Sequence, residues 1–327
     1  MTVEVATRAE RWLVRGAFRI ARDTYTAVDV VVVELRDGAH RGRGECRPYA
    51  HFGESVDSVR AAVETVSKEI ADGACGERLI ELLPAGAARF ALDSATIDLE
   101  AKRSGVPAWR RLELTEPEPV ATAFTIGLDE PEVMAARARE AGARRLLKLK
   151  VGADGMLDRV RAVHEAVPSV PLIVDANEAW SPCDVEEALA SMVGLGVALV
   201  EQPLPAGDDA ILGEIERPIP VCADESFRGA DPMAAIAGRY DAVNVKLDKA
   251  GGVTAARALI RQARERGLRV LLGCMVGTSL AVAPALLLAS RADWCDLDGP
   301  LLLARDRPCG IVDDGVRIHP PTPDLWG

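Results

Sequence analysis

The sequence predicts an α/β protein with a ring of parallel strands in its second half, and two observations lead to this prediction. Five strand-like segments end in an acid or a lysine, and these last residues recur every 22 to 26 positions. Such an interval suits one strand plus one crossover helix. From about Val120 onwards the alternation supplies eight strand candidates, the number that a closed parallel barrel requires. The strand-end residues are Lys150, Asp175, Glu201, Asp224 and Lys246.

Residues 1–118 are patterned differently and predict a separate α+β unit. The segment AVDVVVVELRDGAHRGRGE reads as two strands joined at Asp37-Gly38, which is a strong hairpin signal. Two helical segments follow, the first after an N-cap at Ser55 or Asp57 and the second at AARFALDSATIDLEAKRS. We expect this unit to cap the barrel.

The barrel is predicted to occupy residues 119–305, with helices between its strands. Asp129 is the expected cap of an early barrel helix, and Ser181 followed by Pro182 is the expected start of a later one. Residues 306–327 contain a second Asp-Gly turn, and we expect this tail to pair back onto the first domain. The predicted fold class is therefore α/β, a (β/α)8-type TIM barrel with an N-terminal α+β capping domain completed by the C-terminal tail.

An open doubly wound sheet would show the same rhythm of strands and helices. Its dinucleotide-binding form requires a Gly-rich phosphate loop, and none follows the first strand of the alternating region. Turns and helix starts explain the short GADG and GG segments. The barrel is therefore the preferred fold.

The composition indicates a folded protein without basic binding surfaces. The chain has 327 residues, of which 49% are hydrophobic, and a formal charge of −11. This acid excess argues against nucleic-acid partners, which require basic faces. No signal peptide and no apolar run of roughly 18 residues is seen, so we expect a cytoplasmic protein without a membrane partner. Seven cysteines without a CxxC pair indicate reduced, buried thiols.

Three strand-end carboxylates predict a divalent-metal site. Asp175, Glu201 and Asp224 would end consecutive strands, so that their side chains converge at one end of the barrel. Oxygen ligands without histidine or thiolate favour Mg²⁺, with Mn²⁺ as the alternative, and leave positions for substrate oxygens. A structural interpretation, in which each acid caps a helix or pairs with an arginine, explains one such acid but not three in succession flanked by lysines.

Three lysines predict proton transfer beside that site. Lys148 and Lys150 alternate along one strand and share a face, while Lys246 lies on the opposite wall. Neighbouring positive charge lowers the pKa of a lysine towards values at which it acts as a base. A substrate carbon between Lys150 and Lys246 would lose a proton from one face and regain it on the other, which is racemisation or epimerisation. Taken alone, each lysine is better explained as a solvated strand terminus, so the prediction depends on the set.

The motifs around these residues resemble the enolase superfamily, muconate-lactonising subgroup. They are KLK at 148–150, VDAN with Asp175, EQP with Glu201, ADES with Asp224 and NVKLDKAGG with Lys246. The resemblance covers essentially the whole chain, including GRGECRPY and PAGAARFALDSATIDL in the first domain. The segments GCMVGTS and DLDGP make it most similar to the dipeptide epimerases of the L-Ala-D/L-Glu type.

The resemblance implies a division of labour among these residues. Lys150 and Lys246 would be the two acid/base catalysts, and Lys148 would assist as an electrophile. The Mg²⁺ ligands would be Asp175, Glu201 and Asp224.

The resemblance also implies how a dipeptide is held. Asp296 and Asp298 would bind its α-ammonium group, and two strand-end carboxylates suit a free amino terminus; the other interpretation of this pair is a helix cap plus a turn acid. Met275, Gly277 and Thr278 would contact the substrate as well. The residues that orient the metal ligands and Lys246 would be Asn177, Gln202, Glu225 and Asp248.

The choice of the second side chain is the open point. Members of the family that act on Glu use an arginine in a first-domain loop, and here Tyr25 stands where that arginine is expected. Arg22 or, as a weaker candidate, Arg19 would serve instead, and each is equally well explained as an ordinary surface charge. If neither reaches the substrate, an uncharged or larger second residue is expected.

The predicted function is a Mg²⁺-dependent dipeptide epimerase that transfers a proton at the α-carbon of the second residue, with L-Ala-D/L-Glu as substrate in murein peptide recycling. A cycloisomerase or lyase such as o-succinylbenzoate synthase would keep the lysines and the metal, but it has no use for the acidic pair. A non-catalytic protein that binds carboxylates through a metal would need no second base. The expected partner is a small-molecule dipeptide, and homo-oligomerisation stays open.

Overall fold

The computed structural model describes residues 3–228 and 233–327. The first part of the chain forms an antiparallel sheet of three strands in the order β1-β2-β3, which five helices follow. The strands are β1 (Glu4–Arg19), β2 (Thr24–Asp37) and β3 (His40–Cys46). The helices are α1 (Val56–Thr65), α2 (Ser67–Ala71), α3 (Glu77–Leu82), α4 (Ala87–Ser104) and α5 (Ala108–Arg111).

Local sequence signals fix the turn and the first helix start. Asp37 pairs with His40, which leaves a two-residue turn that starts at Gly38, where φ is 59°. Helix α1 begins after Ser55, whose side chain accepts a hydrogen bond from Ser58 N. Of the two predicted caps, Ser55 is therefore the one that the helix uses.

Helix α4 packs closely against β3 and connects the cap to the barrel. A Cβ atom on Gly44 would lie 2.0 Å from Ala91 O, so only glycine allows the helix this close to the strand. On the barrel side, the buried Arg89 donates hydrogen bonds to Ala250 O (2.6 Å) and Gly251 O (3.2 Å). These contacts hold the cap over the ends of the barrel strands.

The second part of the chain is a barrel-like sheet of eight parallel strands in the order β4 to β11. The predicted TIM-type barrel with an α+β cap is confirmed. In the described residues no ladder joins the two edge strands, and a hydrogen bond from Ala123 N to Cys295 O (2.7 Å) crosses this seam. The strands are β4 (Phe124–Ile126), β5 (Leu147–Lys150), β6 (Leu172–Asp175), β7 (Val197–Glu201), β8 (Val221–Ala223), β9 (Ala242–Lys246), β10 (Arg269–Gly273) and β11 (Trp294–Asp296).

Two predicted helix starts in the barrel are wrong by one to three residues. Helix α6 begins after Glu130, and Asp129 accepts a hydrogen bond from Glu130 N without capping the helix. Helix α8 begins three residues after Pro182, because Ser181 closes a turn with Asp184. The barrel helices are α6 (Pro131–Glu140), α7 (Met156–Ala166), α8 (Val185–Ser191), α9 (Met233–Ala237), α10 (Leu247–Ala250), α11 (Val253–Glu265) and α12 (Ser279–Leu286).

The C-terminal residues contact both parts of the molecule. Trp326 is buried and donates a hydrogen bond from Nε1 to Ser94 O on α4 (3.1 Å). Upstream of it, Ile318 pairs with Val120 at the start of the barrel region. The tail therefore adds a second connection between cap and barrel.

The cysteines correct one expectation from the sequence. Cys75, Cys183 and Cys309 are exposed, so the prediction of buried thiols is wrong for these three. Each of the seven cysteines is a free thiol. Across residues 3–228 and 233–327, we find no helix with the length and apolar character needed to cross a membrane.

Candidate active site

The barrel strands bring the predicted charged residues to one level. Lys150, the last residue of β5, is in register with Asp175 on β6, and Asp175 is in register with Glu201 on β7. Asp224 follows β8 directly, and Lys246 ends β9, four strands from β5 in an eight-stranded sheet. The two lysines therefore lie on opposite walls. The strand ends that the sequence interval predicts do converge.

Lys148 is the centre of a buried ion-pair network. Its Nζ lies 3.0 Å from Asp175 Oδ2, 2.7 Å from Glu201 Oε2 and 2.7 Å from Asp296 Oδ2. Lys150 Nζ donates to Asp175 Oδ2 at 2.5 Å. The side chains of Lys148, Asp175 and Glu201 are at most 2% exposed. Water therefore screens these interactions weakly.

Two lysines hold Asp224 on the other side of the site. Lys246 Nζ donates to Asp224 Oδ2 at 2.8 Å, and Lys249 Nζ donates to Asp224 Oδ1 at 2.6 Å. Lys249 was not among the predicted site residues. The short helix α10 that starts after Lys246 places it one turn further along. The spacing KLDK was the signal in the sequence that would have identified it.

The prediction that a neighbouring lysine lowers the pKa of Lys148 is wrong. Burial alone would lower the pKa of Lys148, but the nearby carboxylates, Asp175 foremost, outweigh it and hold this pKa well above its ordinary value. At Lys246 burial is likewise outweighed, chiefly by Asp224, and the pKa is raised. Both ammonium groups lie within 3.0 Å of a carboxylate on another strand. The spacing of residues along one strand does not reveal these contacts.

The carboxylates differ in how much positive charge lies near them. Although burial opposes it, Lys148 and Lys150 lower the pKa of Asp175 to about 2. Burial and the charge of Asp175 raise the pKa of Glu201 to about 7. Glu201 Oε2 takes no hydrogen bond of acceptable geometry, although Lys148 Nζ lies nearby. Glu201 therefore lacks part of the positive charge that an ionised form would need.

The donor set fits a hard divalent cation. Asp175, Glu201 and Asp224 are almost fully buried, lie on adjacent strands and offer only oxygen atoms, which suits Mg²⁺. As these side chains stand, however, no three acidic, thiol or imidazole groups among the described residues are spaced to hold an ion. The ammonium group of Lys148 lies between the oxygens, so a cation and this lysine compete for the same carboxylates.

The acidic pair at the end of β11, Asp296 and Asp298, is buried beside this network. Asp296 Oδ1 is buried without a hydrogen-bond partner among the described residues, while its Oδ2 accepts from Lys148. Asp298 Oδ2 accepts a hydrogen bond from Thr125 N at 2.6 Å. Burial and the charge of Asp296 raise the pKa of Asp298 to about 7. The pair is thus short of positive charge and would favour a bound ammonium group.

The first domain closes one side of the cavity. Arg22 and Tyr25 line it, whereas Arg19, at the end of β1, does not. The guanidinium group of Arg22 reaches across to the barrel, where it donates to Glu225 Oε1 at 2.5 Å and to Glu178 Oε2 at 3.2 Å. Of the two predicted arginines, only Arg22 therefore reaches the site, and it is already paired.

The segment after β10 contributes one residue of the predicted three. Met275 lines the cavity, but Gly277 and Thr278 do not. Thr278 N donates to Glu45 Oε1 at 2.8 Å, and Thr278 caps α12. These interactions give Thr278 a role in joining barrel to cap.

The residues predicted to orient the ligands are buried around the site. Gln202 Oε1 accepts hydrogen bonds from Asp224 N (2.8 Å) and Ser226 N (3.0 Å), which fixes the loop after β8. Asp248 Oδ1 accepts from Arg47 N at 2.9 Å. Asn177 and Glu225 line the cavity itself.

Several cavity residues were not predicted from the sequence. They come from the end of β1 and the loop after it, from the segment after β3, from β4, and from the segments after β10 and β11. They are Phe18, Ile20, Arg47, Tyr49, Phe52, Thr125, Cys274, Val276, Gly299 and Leu302.

Comparison with known proteins places these features in context. Residues 132–308 match the model of enolase C-terminal domain-like proteins, and residues 2–112 match that of the mandelate racemase/muconate lactonizing enzyme N-terminal domain. An L-Ala-D/L-Glu epimerase of Escherichia coli is 44% identical over 91% of this chain and 93% of its own length. An N-acetyl-D-glutamate racemase of a Pseudoalteromonas species is 40% identical over 91% of this chain and 95% of its own.

Solved structures show the same similarity. One of them is an enolase family member from Agrobacterium tumefaciens with homology to dipeptide epimerases, solved with bound sodium and L-Ala-L-Glu. It superimposes with a TM-score of 0.97 at 44% identity, over 99% of this chain and 100% of that one. A dipeptide epimerase of Enterococcus faecalis complexed with Mg and L-Leu-L-Tyr gives a TM-score of 0.90 at 28% identity, over 98% and 97% of the two chains.

Proposed function

The chain belongs to the enolase superfamily, and we propose that it is a Mg²⁺-dependent dipeptide epimerase that inverts the α-carbon of the second residue. The observation that carries this proposal is the placement of Lys150 and Lys246 on opposite walls of one cavity, each beside a buried carboxylate. Two bases facing each other suit a reaction in which a proton leaves one face of a carbon and returns to the other.

The protein residues account for the proton transfers. Lys150 or Lys246 in its neutral form would take the α-proton, and the ammonium group of the other would give a proton to the opposite face. Loss of the proton leaves additional negative charge on the substrate carboxylate. Lys148 is placed to stabilise that charge, because its ammonium group already lies among three carboxylates at the same level.

The ligands of Mg²⁺ would be Asp175, Glu201 and Asp224. The bound cation would supply a second positive charge for the oxygens of the substrate carboxylate. It would also place positive charge beside the Glu201 carboxylate. Without that charge, burial raises the pKa of this carboxyl group to about 7.

The acidic pair favours a dipeptide over an N-acylated amino acid. Asp296 and Asp298 are buried and undercompensated, and a free α-ammonium group would pair with both. An N-acetyl group offers no charge to them. A lyase such as o-succinylbenzoate synthase would leave the pair unused, and a protein that only binds carboxylates would not need lysines on both walls.

The relatives favour glutamate as the second residue. The E. coli protein is named L-Ala-D/L-Glu epimerase, and it is 44% identical to this chain. We therefore propose L-Ala-L-Glu and L-Ala-D-Glu as the substrates, with a role in the cytoplasmic recycling of murein peptides.

Isotope exchange tests the proposal. In D₂O with Mg²⁺, incubation with L-Ala-L-Glu should place deuterium on the α-carbon of the Glu residue and form L-Ala-D-Glu, as followed by proton NMR. N-acetyl-L-glutamate should react at least about tenfold more slowly, because it cannot pair with the acidic residues. The absence of exchange across a broad dipeptide panel would overturn the proposed function.

A further inference from the structure

One arginine of the cavity has no hydrogen-bond or ion-pair partner for its side chain among the described residues, and it is not the arginine that the sequence suggested. Arg47 follows β3 directly, is 8% exposed and lines the cavity that contains Lys150 and Lys246. Its guanidinium group makes no hydrogen bond and no ion pair with any residue in 3–228 or 233–327. A cation so deeply buried is normally paired, because removing it from water costs several kcal/mol.

The structure holds Arg47 in place without using its hydrogen-bond donors. Its backbone N donates to Asp248 Oδ1 at 2.9 Å, and Pro48 after it restricts its backbone to extended conformations. The guanidinium carbon lies 4.5 Å from the ring centre of Tyr25 and 5.7 Å from that of Tyr49. Stacking on an aromatic face leaves the N–H groups at the edge of the guanidinium plane available to a ligand.

Arg22 differs from Arg47 in this respect. Its guanidinium group donates to the carboxylates of Glu225 and Glu178 and to the Tyr49 hydroxyl. To bind a substrate carboxylate it would have to give up bonds to charged partners. Arg22 therefore connects the cap to the barrel through ion pairs, and Arg47 is the arginine available to a ligand.

We propose that Arg47 is the specificity-determining residue of the cavity and binds the side-chain carboxylate of the substrate's second residue. The substrate class is then a dipeptide whose second residue is Glu or Asp. This inference rests on the proposed function and adds the residue that selects the side chain. Arg47 lies in the cap, so recognition of the variable group is separated from the lysines that carry out the chemistry. Tyr25 serves as the surface on which Arg47 stacks.

The test compares two substrates that differ only in charge, L-Ala-L-Glu and L-Ala-L-Gln. The wild-type protein should prefer the Glu peptide in kcat/KM, and Arg47→Met should reduce the ratio of the two values about 100-fold. This corresponds to the loss of a charge-assisted pair. Arg47→Lys, which keeps the charge but not the planar pair of donors, should retain an intermediate ratio.

Arg22→Met is the matched control, because it removes the other arginine of the same cavity. It should alter kcat/KM for both peptides alike and leave their ratio within about threefold of the wild-type value. An unchanged ratio in Arg47→Met, or a lowered ratio in Arg22→Met alone, would overturn the inference.

If the variants fail to fold, the wild-type protein alone can still contradict the inference. Equal kcat/KM values for L-Ala-L-Glu and L-Ala-L-Gln would exclude a carboxylate-binding arginine. Failure of the proposed function would look different, since no dipeptide would then exchange its α-proton at all.

Discussion

The two walls of the cavity handle charge in different ways. On the barrel wall, the lysines at the strand ends are each within 3.0 Å of a carboxylate, as with Lys150 and Asp175 or Lys246 and Asp224. On the cap wall, Arg22 is paired with barrel residues, but Arg47 is stacked on Tyr25 and pairs with no described residue. The lysines of the barrel wall are thus paired within the protein, while the cap wall leaves a positive charge for a ligand.

The contrast between the walls indicates where each property of the enzyme is determined. Regular parallel strands hold the reactive groups in register, which suits chemistry that is common to all substrates. The cap contributes residues from a hairpin and from the segment after a strand, which can change without disturbing that register. Changes on the barrel wall should therefore affect all dipeptides alike, and the effects of changes on the cap wall should depend on the second side chain.

The largest expected effect is that of removing divalent cations. Treatment with EDTA should lower the epimerisation of L-Ala-L-Glu and L-Ala-L-Gln equally, by about 10⁴-fold, because both require the same charge on the substrate carboxylate. Added Mg²⁺ should restore the activity and raise the melting temperature. Glu201→Gln is the control and should lose most of that rise in melting temperature. Activity that resists the chelator would contradict the metal site.

The next effect concerns the two bases. Lys150→Ala and Lys246→Ala should each lower epimerisation by about 10³-fold. Each variant should still exchange the α-proton of one diastereomer in D₂O, because the remaining lysine can remove and return a proton on its own face. The two variants should retain opposite diastereomers, as measured by NMR with L-Ala-L-Glu and L-Ala-D-Glu. If both retained the same one, the lysines would not face each other.

The sequence predicted the barrel wall well for a physical reason. Strand ends recur at a regular interval, so Asp175, Glu201 and Asp224 can be placed by counting residues. Lys249 was missed because a short helix, and not a strand, brings it to Asp224. The pKa of Lys148 was predicted in the wrong direction, because spacing along one strand shows neighbours in sequence but not the carboxylates of adjacent strands.

The cap wall was predicted less well. Arg22 and Tyr25 were placed in a loop by resemblance, and both line the cavity. Arg47 lies in the motif GRGECRPY, which the sequence linked to the family without a role for each residue. Its importance depends on a contact with Tyr25 on another strand and on the absence of a partner among the described residues, and neither can be read from local pattern.

A smaller effect tests whether the barrel wall also recognises substrate. Asp298→Asn should lower kcat/KM for L-Ala-L-Glu about 30-fold, because a charge-assisted bond to the α-ammonium group is lost. Propionyl-L-glutamate, which lacks that ammonium group, should be affected less than threefold. Such a result would mean that the barrel recognises the constant part of the dipeptide and the cap its variable part. Equal losses with both compounds would indicate a structural role for Asp298.

The smallest effect concerns Asp248, the acid that links the two walls by accepting a hydrogen bond from Arg47 N. Burial raises the pKa of Asp248 from 3.8 to about 7. The folded state therefore binds this proton more tightly than the unfolded state, and stability falls as the pH rises from about 4 to 7 and then stays level. Asn mimics the protonated side chain and keeps its acceptor oxygen, so Asp248→Asn should escape this loss.

The melting temperature of Asp248→Asn should accordingly exceed that of the wild type by several degrees at pH 8, for a penalty on the order of 4 kcal/mol. At pH 5 the difference should be less than half as large, because the penalty accumulates between the unfolded-state and folded-state pKa values and pH 5 lies in the lower half of that interval. Asp158→Asn, which changes an exposed acid on α7, provides the control and should show no such trend. A gap of the same size at both pH values would mean that Asp248 is ionised in the folded protein, and the link between the walls would then be an ionic one.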